Sequence, residues 1–396
     1  MNYNNFMKKL FVLLALLLSL NTYGQELQNV GIEKYAVLEV MGDNTPIRTQ
    51  DNESAYRMTH LFKEAILFAD KQNDKYYRVE LSDGNYGWVN KKHVEVQAII
   101  PEKRFENIKK ITFKETKNSY TAKIETPLKS AFVFKENDNN LEFSLFDNRF
   151  DPIETRILNA NKPFNIPVSI EDNLLINYPL DKPLFGYYLE GYEKGYILTV
   201  KKAPKLNRYL PLKNIKIVID PGHGGTEKGA CAFNLEEKNI NLQISKKIKQ
   251  ELKKRGAKVY LTRTRDKKIS LYDRPLFALS KNADIMLSIH QNALPNPKDI
   301  DKKYGTGTYY YHKQAKPLAE SIQKNMLLST GFRDDGVNFA SFVMTRPTMP
   351  VSVLVECGYI IRKEEADKIS DPKFQKVIAR AISRGVEDYM RENFSL

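Results

Sequence analysis

The chain has 396 residues, 42% of them hydrophobic and 28% charged, which excludes wholesale disorder and predicts two or three domains rather than one. Its 62 Lys and Arg residues outnumber 48 Asp and Glu, and the formal net charge of +14 favours a polyanionic partner such as nucleic acid, an anionic membrane or an acidic cell-wall polymer. Only two cysteines are present, which excludes a disulfide scaffold and a Cys-rich zinc ribbon, so any metal site must use histidine and carboxylate ligands.

Residues 1–24 have the three-part layout of a secretory signal peptide. Lys8 and Lys9 precede an apolar run over residues 10–20, and a short polar exit follows. This run is well short of the ~20 apolar residues that span a bilayer, so we predict cleavage rather than an uncleaved anchor, and no transmembrane anchor afterwards. Export to the periplasm or cell envelope, or secretion, argues against nucleic acid and favours the cell wall as the partner.

Residues 28–98 contain short segments in which apolar and polar residues alternate, which is typical of strands. One helical turn is possible around residues 61–68. Asp83-Gly84 predicts a hairpin turn between the strands on either side of it. The region resembles a bacterial SH3-like domain, and this resemblance implies a barrel that binds wall peptides. It rests on Pro46-Ile47-Arg48, Tyr77-x-Val79 and Gly87-Trp88-Val89. The alternative is that Trp88, the only tryptophan, is simply a core residue.

In residues 101–205, apolar and polar residues alternate again, and this pattern predicts a second all-β unit. The alternation is clearest at residues 111–113, 120–124, 132–134 and 141–145. No cluster in this unit suggests chemistry, so its role stays open. Residues 204–211, bounded by two prolines, are typical of a linker into the last domain.

Residues 212–396 alternate strands with helices, which predicts an α/β domain with a mostly parallel sheet flanked by helices. Predicted strands cover residues 216–219, 259–262, 285–289 and 351–355. Apolar spacing predicts helices over 240–252, up to about 282, over 314–330 and after 371–372. The predicted fold class is therefore multidomain, all-β in its N-terminal part and α/β in its C-terminal part.

Several of these strands end in residues that can bind a metal or transfer a proton. His223, His290 and Glu356 follow three of the strands, and Glu237 begins a helix. Because active groups in such sheets gather at the carboxyl ends of the strands, these four side chains can converge. Two imidazoles and one carboxylate form a zinc set with a fourth position open, and a second carboxylate can act as general base. A structural role for the histidines is the alternative.

The stretch 212–390 resembles the zinc-dependent N-acetylmuramoyl-L-alanine amidases of the type with a DPGHGG opening. Six segments match in the family's order, at residues 219–225, 237–242, 261–263, 271–274, 288–293 and 355–359. The resemblance implies one Zn²⁺ held by His223, Glu237 and His290, with Glu356 as the catalytic carboxylate. It departs from the family at Tyr359, where Phe is frequent, and at Ile361-Arg362-Lys363. The second departure leaves the local loop and the peptide preference open.

The function implied by the resemblance is that of an exported zinc hydrolase. It would cleave the amide between N-acetylmuramic acid and L-alanine of peptidoglycan, with the SH3-like domain binding the wall. A zinc peptidase acting on the stem peptide and a non-catalytic peptidoglycan-binding protein are the alternatives. Whether an activator protein is needed stays open.

Four further residues lie close to the predicted site in sequence. Asn292 and Arg263 are candidates for substrate binding, although for Arg263 a role in fixing loops is favoured. For Cys231 and Cys357 we predict inert buried thiols rather than a disulfide, because Cys357 in a strand points away from its neighbour Glu356.

Overall fold

The computed structural model describes residues 35–395, apart from 83–84, 104, 159–163, 165–166, 171–172 and 295–302. The predicted signal peptide and the Asp83-Gly84 turn lie outside the described residues. The described chain divides into two compact units. The first holds the residues up to Lys114, Thr121–Pro179 and Leu189–Leu198; the second holds Glu115–Tyr120, Leu180–Tyr188 and the residues from Thr199 onward. Within the described ranges, no helix combines the length and apolarity needed to cross a membrane.

The first seven strands form one antiparallel sheet. They are β1 (Tyr35–Val40), β2 (Thr45–Arg48), β3 (Arg57–Leu61), β4 (Ile66–Gln72), β5 (Tyr76–Ser82), β6 (Asn85–Asn90) and β7 (Val94–Ile100). Their spatial order is β3-β2-β6-β5-β4-β1-β7. The helical turn predicted around residues 61–68 is wrong, because Leu61 and Leu67 enter the core from two separate strands joined by a short turn. The SH3-like barrel stays a prediction.

Eleven further strands confirm the all-β character of the segment that follows. They are β8 (Glu106–Asn107), β9 (Lys110–Glu115), β10 (Ser119–Glu125), β11 (Phe132–Glu136), β12 (Asn140–Leu145), β13 (Asn148–Arg149), β14 (Arg156–Leu158), β15 (Val168–Ile170), β16 (Asn173–Pro179), β17 (Tyr187–Tyr192) and β18 (Gly195–Lys201). They form sheets of order β14-β9-β10-β18-β17, β11-β12-β16-β15 and β13-β8.

The second unit is built on a six-stranded sheet. Its strands are β19 (Lys216–Pro221), β22 (Lys258–Leu261), β23 (Ile285–Asn292), β24 (Thr306–Tyr310), β25 (Asp334–Phe339) and β26 (Val351–Tyr359); a small hairpin of β20 (Cys231–Ala232) and β21 (Leu235–Glu236) lies apart. The order is β22-β19-β23-β26-β24-β25. Neighbours from β22 to β26 are parallel, but β24 is antiparallel to β26, so the sheet is mixed.

Helices cover both faces of this sheet. They are α1 (Glu237–Lys254), α2 (Asp273–Ser280), α3 (Lys316–Thr330), α4 (Lys363–Ser370) and α5 (Pro372–Phe394). Apolar residues of α1, α3, α4 and α5 share one core with alternate residues of the strands, whereas Ala278 of α2 packs with Val218, Met286 and Leu354 on the opposite face. The parallel register brings the carboxyl ends of β19, β23 and β26 to one edge.

Candidate metal centre

His223 lies in the loop after β19, and its backbone is in the left-handed region at φ 59. Such a backbone is uncommon for a residue with a Cβ, so the surrounding contacts must hold it. Arg274 of α2 supplies them: its Nη2 donates to the His223 carbonyl oxygen at 3.0 Å, and its Nη1 donates to the Asp220 carboxylate at 2.8 Å. The imidazole of His223 thereby faces Glu237, with Nε2 3.1 Å from Oε2.

Glu237, the first residue of α1, places its carboxylate between two imidazoles. Its other oxygen, Oε1, lies 2.9 Å from Nδ1 of His290. The backbone N–H of Ala230 donates to Oε2, and the Asn241 side chain and the Gln291 N–H donate to Oε1. Burial alone raises the pKa of the Glu237 carboxyl, but the hydrogen bonds from both histidines outweigh it and hold that pKa far below its usual range. The carboxylate is therefore ionised.

His290 comes from β23, and its ring packs against glycine backbone. Its ring centroid is 5.0 Å from that of His223. A Cβ at Gly222 would lie 2.2 Å from the His290 ring, and one at Gly229 would lie 2.4 Å from Glu237 Oε2. Any larger residue at either position would displace these side chains, so the two glycines are needed for the close grouping.

The grouping fits a divalent metal ion such as zinc. His223, Glu237 and His290 each offer one ligand atom, and these atoms lie within 4.8 Å of one another. Two imidazole nitrogens and an ionised carboxylate are a common zinc donor set, and three protein ligands leave a fourth position for water or substrate. The structure therefore brings together the three predicted ligands, although it contains no metal.

Glu356 lies on β26 directly opposite His290 in the parallel register. In the described part of the chain its Oε2 is buried and has no hydrogen-bond partner. Burial, with the negative charges of Glu237 and Asp335, raises the pKa of Glu356 to about 7, although His290 opposes the shift. A buried polar atom without a partner is costly, and this oxygen is available to hydrogen-bond a bound molecule.

The two candidates for substrate binding differ. Arg263 is only 3% exposed, and its guanidinium donates to the carbonyl oxygens of Pro221, Gly222 and Lys238. Its donors are thus occupied by loop backbone, which favours the role in fixing loops; a contact with substrate stays a prediction. Asn292 is half-buried at the end of β23, opposite Tyr359, and its role stays a prediction.

Sequence analysis missed two residues that support the ligands. Asp220 accepts hydrogen bonds from Thr262, Arg274 and Ser288, and so joins three elements beneath the loop of His223. Asn241 lies one helical turn after Glu237, and this i, i+4 spacing was the available signal.

Both cysteines are free. Cys357 is buried, as predicted, but Cys231 is exposed because it lies in the small hairpin β20–β21 rather than in the core. The prediction of a buried thiol is therefore wrong for Cys231.

The chain is similar to several known amidases. A model of the N-acetylmuramoyl-L-alanine amidase family matches residues 217–388. N-acetylmuramoyl-L-alanine amidase LytC of Bacillus subtilis is 37% identical over 198 residues, which are 49% of this chain and 39% of LytC. LytH of Staphylococcus epidermidis, a probable cell wall amidase, is 34% identical over 212 residues, which are 50% of this chain and 68% of LytH. The chain thus spans less than half the length of LytC.

A solved structure is similar to a comparable share of the chain. The N-acetylmuramoyl-L-alanine amidase of Clostridium difficile 630 shares 36% identity with a TM-score of 0.43, over 45% of this chain and 97% of that one. The family match includes the three predicted metal ligands and Glu356. The chain covers 68% of LytH at 34% identity, and the family model matches it as well. The chain therefore belongs to the N-acetylmuramoyl-L-alanine amidase family.

Proposed function

We propose that the chain is an exported zinc-dependent amidase that hydrolyses the bond between N-acetylmuramic acid and the L-alanine of peptidoglycan. The observation that carries this proposal is the ligand triad His223, Glu237 and His290 beside Glu356, whose buried Oε2 has no partner among the described residues. Membership of the amidase family supports the identity of the bond.

The triad would hold the metal through two imidazole nitrogens and one oxygen of Glu237. Zinc, when bound, supplies a Lewis acid that polarises the amide carbonyl and acidifies water. The N–H groups of Ala230 and Gln291 and the Asn241 amide fix the orientation of the Glu237 carboxylate before any ligand arrives.

Glu356 would move the proton. Its Oε2 takes a proton from the attacking water as the water oxygen bonds to the lactyl carbonyl carbon. The same oxygen returns the proton to the alanine nitrogen as the carbon–nitrogen bond breaks. The products are a carboxylic acid on the sugar and a free amine on the peptide. Burial, which raises the pKa of Glu356 above its usual range, favours holding the proton long enough to return it.

Export and wall binding belong to the same proposal. Residues 1–24 contain two lysines and no acidic residue, so their removal would leave a net charge of 14 − 2 = +12. A basic protein is attracted to anionic wall polymers. The sheet of β1 to β7 would bind the wall as an SH3-like domain.

Digestion of purified peptidoglycan by the zinc-loaded protein, read by mass spectrometry, tests the proposal. We expect intact stem peptides with a free L-alanine amino terminus, lost with a chelator and restored by zinc but not by magnesium. Shortened peptides still attached to sugar would instead indicate a stem-peptide peptidase. Protein that pellets with the wall and cleaves nothing would indicate a binding protein.

A further inference from the structure

One row of paired residues crosses five neighbouring strands of the first sheet. Along β3-β2-β6-β5-β4, each residue of the row pairs with the next. Residues at paired positions share one face of a sheet, so four cations lie on the same face as the only tryptophan of the chain. We call this set the cationic row, and in strand order it consists of Arg57, Arg48, Trp88, Arg78 and Lys71.

The cationic row lies on the face of the sheet that points away from the core. A Cβ at Gly87 would collide with Cγ2 of Ile47, so position 87 faces the core. Successive residues of a strand alternate between the two faces, so Trp88 lies on the opposite face. The five residues of the row are half-buried or exposed. Their charged groups are therefore accessible to a ligand.

The two arginines beside Trp88 are held in place by contacts within the same unit. Nη1 of Arg48 donates to the carbonyl oxygen of Ala55 at 2.8 Å. Nε of Arg78 donates to Oδ1 of Asp70 at 3.0 Å, and its Nη2 donates to the same carboxylate. A guanidinium carries five N–H donors, so these contacts orient both groups and leave donors for a ligand.

The positive potential of the row reaches a neighbouring histidine. Burial lowers the pKa of His93, and the positive charges of Lys92, Arg57 and Arg48 lower it further, although Glu53 opposes them. Charges that disfavour a cation at this place favour an anion there. This end of the cationic row therefore suits an anionic ligand.

An aromatic ring between two guanidinium groups fits a sugar between two acids. Arg48 and Arg78 pair with Trp88 from opposite sides, so they are roughly 10 Å apart across two strand spacings. Guanidinium groups bind carboxylates through two parallel hydrogen bonds, and an indole ring offers an apolar surface to the C–H groups of a sugar. The whole row spans roughly 19 Å, which fits a polymer rather than a single small ion.

The proposed reaction produces a polymer of this kind. Each hydrolysis leaves a carboxylate on one muramic acid residue, and these residues alternate with neutral N-acetylglucosamine. An uncleaved strand carries peptides at the same positions, and their ammonium groups offset part of their negative charge. A strand stripped of its peptides therefore presents a regular series of carboxylates to a cationic surface.

We infer that the cationic row binds glycan strands from which the stem peptides have been removed. A neutral sugar packs on Trp88, and the acidic sugars on either side face Arg48 and Arg78. This inference rests on the proposed function, because the ligand is the product of the proposed reaction. Binding of the product would keep the protein on parts of the wall that have already been cleaved.

Binding of the full chain to two soluble glycan strands of equal length tests the inference. One strand keeps its stem peptides, and the other has lost them to an unrelated amidase. A chelator is present throughout, so that the chain itself cleaves neither strand. We expect calorimetry to show that the stripped strand binds about tenfold more tightly and that added salt weakens this binding. The stripped strand should also raise the pKa of His93, followed by NMR.

Variants of the row separate it from the general charge of the protein. Arg57→Gln combined with Lys71→Gln removes the charges at both ends of the row and should weaken binding of the stripped strand about tenfold. Lys63→Gln combined with Lys135→Gln is the matched control, because it removes two exposed charges of the same unit outside the row. The control should change the affinity by less than about twofold. Trp88→Ala should weaken binding about fivefold by removing the apolar surface.

Equal affinities of the wild type for the two strands, or equal effects of the two double variants, would overturn the inference. Inorganic polyphosphate that bound as tightly as the stripped strand, with no loss in Trp88→Ala, would show a site for any polyanion and would also overturn it. A zinc-loaded chain that released no stem peptides would contradict the proposed function alone, because the stripped strand is prepared without this chain.

Discussion

At the residue scale, the site depends on how firmly one carboxylate is held. Glu237 touches both imidazoles and accepts three further hydrogen bonds, one of them from Asn241. A ligand oriented in advance loses little entropy when a metal binds, so groups that touch only the ligand still affect metal affinity.

Asn241→Ala is therefore expected to weaken zinc binding by about 10- to 100-fold, because the Glu237 carboxylate loses one of the donors that orient it. Competition with a chromogenic chelator measures the affinity. Asn239→Ala is the control, since Asn239 lies on the exposed side of the same helix and its amide donates to Glu236 rather than to Glu237. Equal losses in the two variants would show that Asn241 acts through helix stability alone.

The buried ion pair of Arg274 with Asp220 gives a stability prediction. Both side chains are at most 3% exposed, so Arg274→Ala leaves a buried carboxylate without its cation and should lower the free energy of unfolding by about 3–5 kcal/mol. Denaturant unfolding measures this loss in the free energy of unfolding. Lys268→Ala breaks an exposed pair with Glu227 in the same region and should cost under about 1 kcal/mol. A similar small loss for Arg274→Ala would contradict this account.

The convergence of His223, Glu237 and His290 could be predicted because each residue lies at the end of an apolar strand or the start of a helix. The placement of Asp335 could not, because its strand β25 reads Asp-Asp-Gly-Val-Asn-Phe and has no apolar alternation. The role of Arg263 was also undetermined, since sequence does not distinguish an arginine bound to loop carbonyls from one that contacts substrate.

At the scale of elements, apolar spacing predicted where two helices end. Helix α1 ends at Lys254, close to the predicted residue 252, and α3 ends at Thr330, as predicted; Gly256 at φ 96 and Gly331 at φ 63 follow these ends. Helix α4 was missed because only Glu365, Ala366 and Ile369 of its eight residues are buried, too few for a clear period. Strand β26 continues past the predicted Val355, because pairing with both neighbours extends it through Glu356.

The contact between α3 and α5 depends on a glycine. A Cβ at Gly385 would lie 2.6 Å from Cα of Ile322, so Gly385→Ala must separate the two helices and should cost about 1–3 kcal/mol, despite the better helix propensity of alanine. Arg384→Ala, at the exposed neighbouring position, should change stability by less than about 0.5 kcal/mol. A Gly385→Ala protein as stable as the wild type would show that the helices can move apart freely.

At the scale of the whole molecule, the chain joins a β-rich unit to an amidase unit. The proposed ligands all lie in the second unit, so a metal bound there stabilises that unit by mass action. Multidomain chains commonly unfold in more than one step, and the metal should affect one step only.

We therefore expect calorimetry to show that zinc raises the melting temperature of one transition and that a chelator reverses the rise. Free zinc at about a thousand times its Kd would stabilise the amidase unit by about 4 kcal/mol. His223→Ala should lose most of this shift while the other transition stays in place. A zinc shift that persisted in His223→Ala would place the metal elsewhere.

In the proposed mechanism, three residues bind the metal and Glu356 transfers the proton. Glu356→Gln, which keeps the shape of the side chain and removes the base, separates these two roles. Zinc content by atomic mass spectrometry and turnover of a muramyl peptide are measured on one preparation. We predict one zinc per chain in both proteins and a kcat lower by about 10²- to 10⁴-fold in the variant. A variant that kept its turnover, or that lost its zinc, would contradict the assignment of Glu356.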